Sequence, residues 1–70
     1  MSFKELVSSH KKGDISFEDL ILEVRCESCY FSVYDEAEKQ LGTTSQLLNN
    51  LAKEFPVHHR KLVNERGLQF

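Results

Sequence analysis

The chain has 70 residues, 40% hydrophobic and 29% charged, a mixture that fits one small globular domain and excludes an intrinsically disordered segment. No apolar run approaches the roughly 20 residues of a membrane-spanning helix, and the first residues do not resemble a signal peptide, so we expect no membrane contact. The net charge is only −2, but residues 14–38 hold eight acidic residues and one basic residue, a net of −7, between two basic ends.

The first two predicted helices are marked by their capping patterns. Residues 2–5 (Ser-Phe-Lys-Glu) have the form of a capping box, and Gly13 stands where this first helix should end. Residues 16–19 (Ser-Phe-Glu-Asp) are the variant of that box with Asp, and they predict the start of a second helix. Its apolar residues recur at helical spacing and are Phe17, Leu20, Ile21 and Val24.

Three more helices are predicted in the second half of the chain. The third has an apolar stripe at Tyr30, Tyr34, Ala37 and Leu41, the fourth at Leu47, Leu48, Leu51, Ala52 and Phe55, and the fifth at Val57, Leu62 and Val63. Gly42 and Pro56 separate them. The sequence therefore predicts an all-α domain over residues 1–70, a compact bundle of four to five short helices. An α+β fold with a β-hairpin at about residues 20–34 is the alternative, because that segment is rich in β-branched and aromatic residues.

The acidic centre predicts a surface for a protein partner, or a centre onto which the basic ends fold back. Apolar residues off the core stripes lie among the carboxylates, as in an interface with a charged rim. Val33 and Leu22 belong to these residues off the stripes, some of which we expect to be exposed or covered by another chain. The resulting hypothesis is a small non-catalytic regulator, adaptor or inhibitor that binds a protein through Leu22, Glu23, Glu27, Phe31, Asp35 and Glu36. Self-association as a homodimer is a second expectation for a core this small.

A helix-turn-helix DNA-binding regulator is the alternative function. The segment Ile15-Ser16-Phe17-Glu18-Asp19-Leu20, with Val24 and Tyr30-Phe31-Ser32, resembles the first helix-turn-helix of AraC/XylS-type regulators over 20–30 residues. It departs at Ile21 and Arg25, where the motif has small residues, and it offers phosphates no basic side chain. A second frame, with its turn at residues 42–44, gives DNA-binding candidates Ser45, Gln46, Asn49, Asn50 and Lys53, joined by Arg60 and Lys61. Net acidity disfavours nucleic acid in both frames.

The two cysteines, Cys26 and Cys29, are too few for a disulfide framework, so a cytoplasmic protein is expected. The pattern favours Cys26 as a small core residue and Cys29 as a residue at the edge of the core. A zinc-stabilised module that uses both thiols is a weaker hypothesis, since only three histidines could complete the site. Redox work was disfavoured because no strand–helix context was expected and Glu27 would raise the thiol pKa. The sequence shows no catalytic constellation, and neither a cofactor nor a metal is predicted.

Overall fold

The computed structural model describes residues 2–67, which form five helices. They are α1 (Phe3–Lys12), α2 (Phe17–Ile21), α3 (Glu27–Leu41), α4 (Gln46–Glu54) and α5 (Pro56–Arg66). No strand occurs among these residues, so the all-α prediction is confirmed and the alternative hairpin at residues 20–34 is wrong. A new helix begins at Glu27, where the hairpin would have turned, because the Cys26 side chain caps it.

Both predicted serine caps are present. The Ser2 hydroxyl accepts a hydrogen bond from the Glu5 backbone N–H at 3.2 Å, and the Ser16 hydroxyl accepts one from the Asp19 N–H at 3.2 Å. Each bond satisfies an amide that has no partner within its own helix, which fixes where that helix begins. At α4 the N-cap is Ser45, but its side chain makes no capping bond.

The predicted stop at Gly13 is also present and depends on the glycine backbone. Gly13 has φ +86°, a left-handed conformation that side chains disfavour, and its N–H donates to the His10 carbonyl at 3.0 Å. The next amide, of Asp14, donates to the Ser9 carbonyl at 2.9 Å. At the other end of the chain, Pro56 is the first residue of α5, where the missing N–H has no cost.

The second helix is shorter than its apolar stripe indicates. It ends at Ile21, and the amides of Glu23 and Val24 donate back only three residues, to the Leu20 and Ile21 carbonyls at 3.1 Å each. Such tight bonds close the last turn of a helix. Val24 lies beyond that turn yet is buried, so the stripe correctly predicted its burial but not its helical conformation.

The third helix is the centre of the domain. It packs against α1, α4 and α5, while α2 packs on α1 and α4 packs on α5. The radius of gyration is 11.1 Å, close to the roughly 11 Å expected of a compact chain of this length. The buried core consists of Leu6, Val7, Leu20, Val24, Tyr30, Val33, Tyr34, Ala37, Leu47, Leu48, Leu51 and Leu62.

Two apolar residues lie where the sequence interpretation did not put them. Val33 was expected outside the core, but it is fully buried, because it continues the face of Tyr30, Tyr34 and Ala37 at helical spacing. Val57 was expected in the core, but it is 64% exposed at the beginning of α5. The correction at Val33 removes it from any surface of α3.

Candidate protein-binding surface

Three of the six predicted partner-binding residues lie on one side of α3 and contact α5. Glu27, Phe31 and Asp35 are spaced by four residues, so they share one face of the helix. Lys61 Nζ lies 3.3 Å from Glu27 Oε2. Arg66 binds Asp35 with both terminal nitrogens, Nη2 donating to Oδ2 at 2.9 Å.

The same arginine covers the aromatic ring between these carboxylates. The Arg66 guanidinium carbon lies 5.6 Å from the centroid of the half-buried Phe31 ring, within the range of a cation–π contact. Hydrogen bonding to Asp35 raises the pKa of Arg66 further, so the guanidinium stays charged at any working pH. The basic end of the chain therefore folds back onto part of the acidic centre, which leaves this face of α3 less suited to a basic partner.

The acidic residues around α2 have no such cations. The outward surface of α2 and of the turn that follows it is formed by Glu18 and Asp19 in the helix and Leu22 and Glu23 in the turn, opposite the inward-facing Leu20. Leu22 is 67% exposed, the largest exposure of any large hydrophobic residue in the described chain. None of the three carboxylates makes an ion pair with another residue of the 2–67 range. We call these four residues the α2 outer face.

Sequence reasoning found only half of the α2 outer face. It named Leu22 and Glu23 but omitted Glu18 and Asp19, although helical spacing places these one turn before Leu22 and Glu23. The last predicted residue, Glu36, is half-buried on α3 and is not part of this face. The predicted site thus divides between two helices, and its unneutralised part lies at α2.

The predicted DNA-binding residues lie on α4, α5 and the connection before α4. Helices α3 and α4 are joined by residues 42–45, a length compatible with a helix-turn-helix. Gln46, Asn49 and Lys53 are exposed on α4, as is Arg60 on α5. The remaining three are engaged or buried: Asn50 accepts a hydrogen bond from Gln46, Lys61 pairs with Glu27, and the Ser45 hydroxyl oxygen is buried.

The two cysteines differ in burial, and only Cys29 packs against the core. Cys26 is exposed and Cys29 is half-buried, so the interpretation of Cys26 as a core residue is wrong. Within residues 2–67 no group of three or more His, Cys, Asp or Glu side chains could hold a metal ion. The zinc hypothesis therefore has no third ligand in the part of the chain that the structure describes.

An aromatic cluster connects α3 to the start of α5. The buried Tyr30 ring lies 5.6 Å from Phe55 and 5.9 Å from His58 between ring centroids, and its hydroxyl lies 2.9 Å from His59 Nδ1. Tyr34 also faces His59, at 5.6 Å between centroids. Burial lowers the pKa of His59 below its usual value.

The depressed pKa of His59 predicts that acid weakens the fold. Between the unfolded pKa of about 6.5 and the lower folded value, the unfolded chain binds more protons than the folded chain. The contribution of neutral His59 is therefore complete above the unfolded pKa and is lost as the pH falls towards the folded value. We expect a lower melting temperature at about pH 5.5 than at about pH 7.5, measured by circular dichroism. In His59→Gln the difference in melting temperature between the two pH values should be smaller. If it is unchanged, the pH dependence arises from other groups.

No helix among residues 2–67 is both long and apolar enough to cross a membrane. Comparisons of the chain with protein-family models, with curated proteins and with solved structures found no match.

Proposed function

We propose that this chain is a small non-catalytic binding protein, a regulator, adaptor or inhibitor, whose contact surface is the α2 outer face. The observation that carries the proposal is Leu22, which is 67% exposed beside three carboxylates that have no ion pair among residues 2–67. Apolar residues at the centre of a contact, with charged residues around them, are the usual anatomy of a protein interface. A single exposed leucine is common, so the proposal depends on its combination with the charges.

The charges define the chemistry of the partner. Glu18 and Asp19 extend from α2 and Glu23 from the turn after it, with Asp14 just before the helix, and all four are exposed. A partner with Lys or Arg around an apolar depression would neutralise the carboxylates and cover Leu22. Complementary charge accelerates encounter and selects against acidic competitors, and it makes association weaker as salt increases. We therefore propose a protein partner with a basic surface.

The α3 face has a different role in this proposal. Glu27 and Asp35 are held by Lys61 and Arg66, so a basic partner would have to displace cations that are already present. Exposed ion pairs of this kind contribute only about 0–1 kcal/mol each to stability, but they reduce the negative field at that face. This contrast favours α2 over α3 as the first point of contact.

Charge reversal at α2 tests the proposal. The double variant Glu18→Lys/Glu23→Lys raises the net charge of the α2 outer face by four, because each substitution replaces −1 by +1. The control Glu54→Lys/Glu65→Lys changes the net charge equally at exposed positions elsewhere on the surface. Tagged wild type and both variants are used to capture proteins from host lysate, with and without nuclease. The proposal is supported by a protein that, in nuclease-treated lysate, binds wild type and the control but not the α2 variant.

The captured protein is then purified and titrated against each variant by calorimetry at low and high salt. We expect the α2 variant to bind at least about tenfold more weakly and the control to bind like wild type, because like charges across an interface are strongly unfavourable. Equal affinity for both variants, or affinity that does not change with salt, would contradict the α2 surface. Melting curves of each variant check that the fold is retained.

The DNA-binding alternative is supported by one structural observation, the α3–α4 pair with its four-residue connection and exposed Gln46, Asn49 and Lys53. The nuclease arm of the same experiment addresses it. Retention of nucleic acid, lost in Lys53→Glu/Arg60→Glu and unaffected by the α2 variant, would replace the protein-binding proposal by this one. Binding to duplex DNA should then fall steeply with salt, because phosphate contacts release counterions.

A further inference from the structure

The two cysteines lie across the first turn of α3, with their sulfur atoms 2.9 Å apart. Cys26 is the N-cap, and its Sγ accepts a hydrogen bond from the Cys29 backbone N–H at 3.3 Å. Both thiols are free, Cys26 being exposed and Cys29 half-buried. Cys26 therefore offers an accessible thiol at the start of the 15-residue helix α3, and the less exposed Cys29 thiol lies next to it.

A disulfide between them requires little movement. The bond length of a disulfide is about 2.05 Å, so the sulfur atoms must approach by about 0.9 Å from their present 2.9 Å separation. Rotation of two side chains can supply that distance, because Cys26 lies outside the helix in extended conformation. The helix itself can remain in place.

We propose that Cys26 and Cys29 form a redox-active dithiol that exchanges with small disulfides of the glutathione type, Cys26 attacking first and Cys29 resolving. The sequence argument against redox work was the lack of a strand–helix context and the nearby Glu27 carboxylate. No strand precedes Cys26 within residues 2–67, but this thiol does lie at the N-terminus of α3, the part of that context that lowers a thiol pKa. Attack falls to Cys26 because it is the more exposed of the two thiols.

The environment of Cys26 supports its role as the attacking group. Hydrogen bonds from the Cys29 thiol and from the backbone amides of Cys29 and Ser28 lower the pKa of the Cys26 thiol, and the Glu27 carboxylate opposes this more weakly. The N-terminus of a helix also favours negative charge. A larger thiolate fraction increases the rate of exchange near neutral pH.

The exchange balances in two steps. The Cys26 thiolate attacks one sulfur of oxidised glutathione, forming a mixed disulfide and releasing one glutathione thiolate, which takes a proton from solvent. Cys29 loses its proton to solvent, and its thiolate attacks the Cys26 sulfur and expels the second glutathione thiolate. In total one small disulfide is reduced to two thiols, and the protein dithiol is oxidised to one disulfide.

The first test compares the single-cysteine variants. Cys29→Ser retains the attacking thiol and Cys26→Ser retains the resolving thiol, and each is mixed with oxidised glutathione near neutral pH. We expect Cys29→Ser to form the mixed disulfide at least about tenfold faster than Cys26→Ser, by mass spectrometry over time. The difference should vanish in concentrated guanidinium chloride, where the helix is absent. Equal rates in the folded state would overturn the assignment of Cys26.

The second test asks whether the intramolecular bond forms in wild type. The protein is equilibrated in mixtures of reduced and oxidised glutathione, alkylated, and digested with trypsin, which releases both cysteines in the peptide 26–39. We expect this peptide to become unalkylated and two hydrogens lighter as the oxidised share increases. A peptide that remains doubly alkylated, or stable mixed disulfides or disulfide-linked dimers in its place, would overturn the dithiol. Circular dichroism of the serine variants confirms that they are folded.

The dithiol and the α2 outer face can be tested separately. Neither serine variant changes the charges of α2, and the charge-reversal variant retains both thiols. Failure of one proposal therefore leaves the other standing.

Discussion

Replacing Tyr30 by alanine is expected to remove about a third or more of the free energy of unfolding. The Tyr30 side chain is fully buried and contacts Tyr34, Phe55 and His58 through its ring. Removing a buried aromatic ring costs about 3–5 kcal/mol. A chain of this length has a free energy of unfolding of about 3.5–10 kcal/mol at typical values per residue. The loss is therefore about a third of the stability or more, and urea unfolding followed by circular dichroism measures it.

The matched variant Tyr30→Phe separates the ring from the hydroxyl. It retains the aromatic contacts and loses only the hydrogen bond between Tyr30 Oη and His59 Nδ1. The expected cost is about 0.5–1.5 kcal/mol, so this variant should fold and unfold at a lower urea concentration than wild type. If Tyr30→Ala unfolded at the same midpoint as Tyr30→Phe, the aromatic cluster would not stabilise the junction of α3 and α5.

The second large effect is expected from asparagine at position 33. Asparagine is no larger than valine, so Val33→Asn introduces a polar amide without overpacking the site. Val33 is fully buried. An unsatisfied amide there costs about 1–3 kcal/mol, and the lost apolar burial adds about 1.5–3 kcal/mol. We expect Val33→Asn to lower the free energy of unfolding by about 2.5–6 kcal/mol, measured in urea.

The control for Val33 is the same change at Leu22. Sequence reasoning put both residues outside the core, but Leu22 is 67% exposed in the structure. Leu22→Asn should therefore change the free energy of unfolding by less than about 0.5 kcal/mol, as for most surface substitutions. It should weaken binding of the proposed partner, because it removes the apolar centre of the α2 outer face. Equal stability of the two variants would show that position 33 does not face the core.

The distribution of charge connects the fold to the proposed function. Seen along the sequence, residues 14–38 are one acidic block. In the folded chain Lys61 and Arg66 lie against its second half, at Glu27 and Asp35, whereas its first half has no cation partner among the described residues. The unmatched half is the one that carries the exposed Leu22. A basic partner bound at the α2 outer face would supply the cations that neutralise its carboxylates.

The class of fold and most helix boundaries were predictable from the sequence, because these depend on residues close along the chain. Ser2 and Ser16 cap amides three residues ahead, and Gly13 adopts a left-handed backbone that other residues resist. Apolar spacing then fixed which face of each helix is buried. The same spacing, at residues 30, 33, 34 and 37, accounts for the burial of Val33.

Which charges and thiols face solvent depends instead on how the helices pack. Lys61 lies 34 positions from Glu27 and Arg66 lies 31 positions from Asp35, so no local pattern predicts these pairs. Cys26 became the exposed cap of α3 because α2 ended early at Ile21, through bonds that spacing does not reveal. Contacts between distant segments follow from how whole helices pack, whereas caps and stripes follow from near neighbours. The candidate site depends on the first kind, and the fold class on the second.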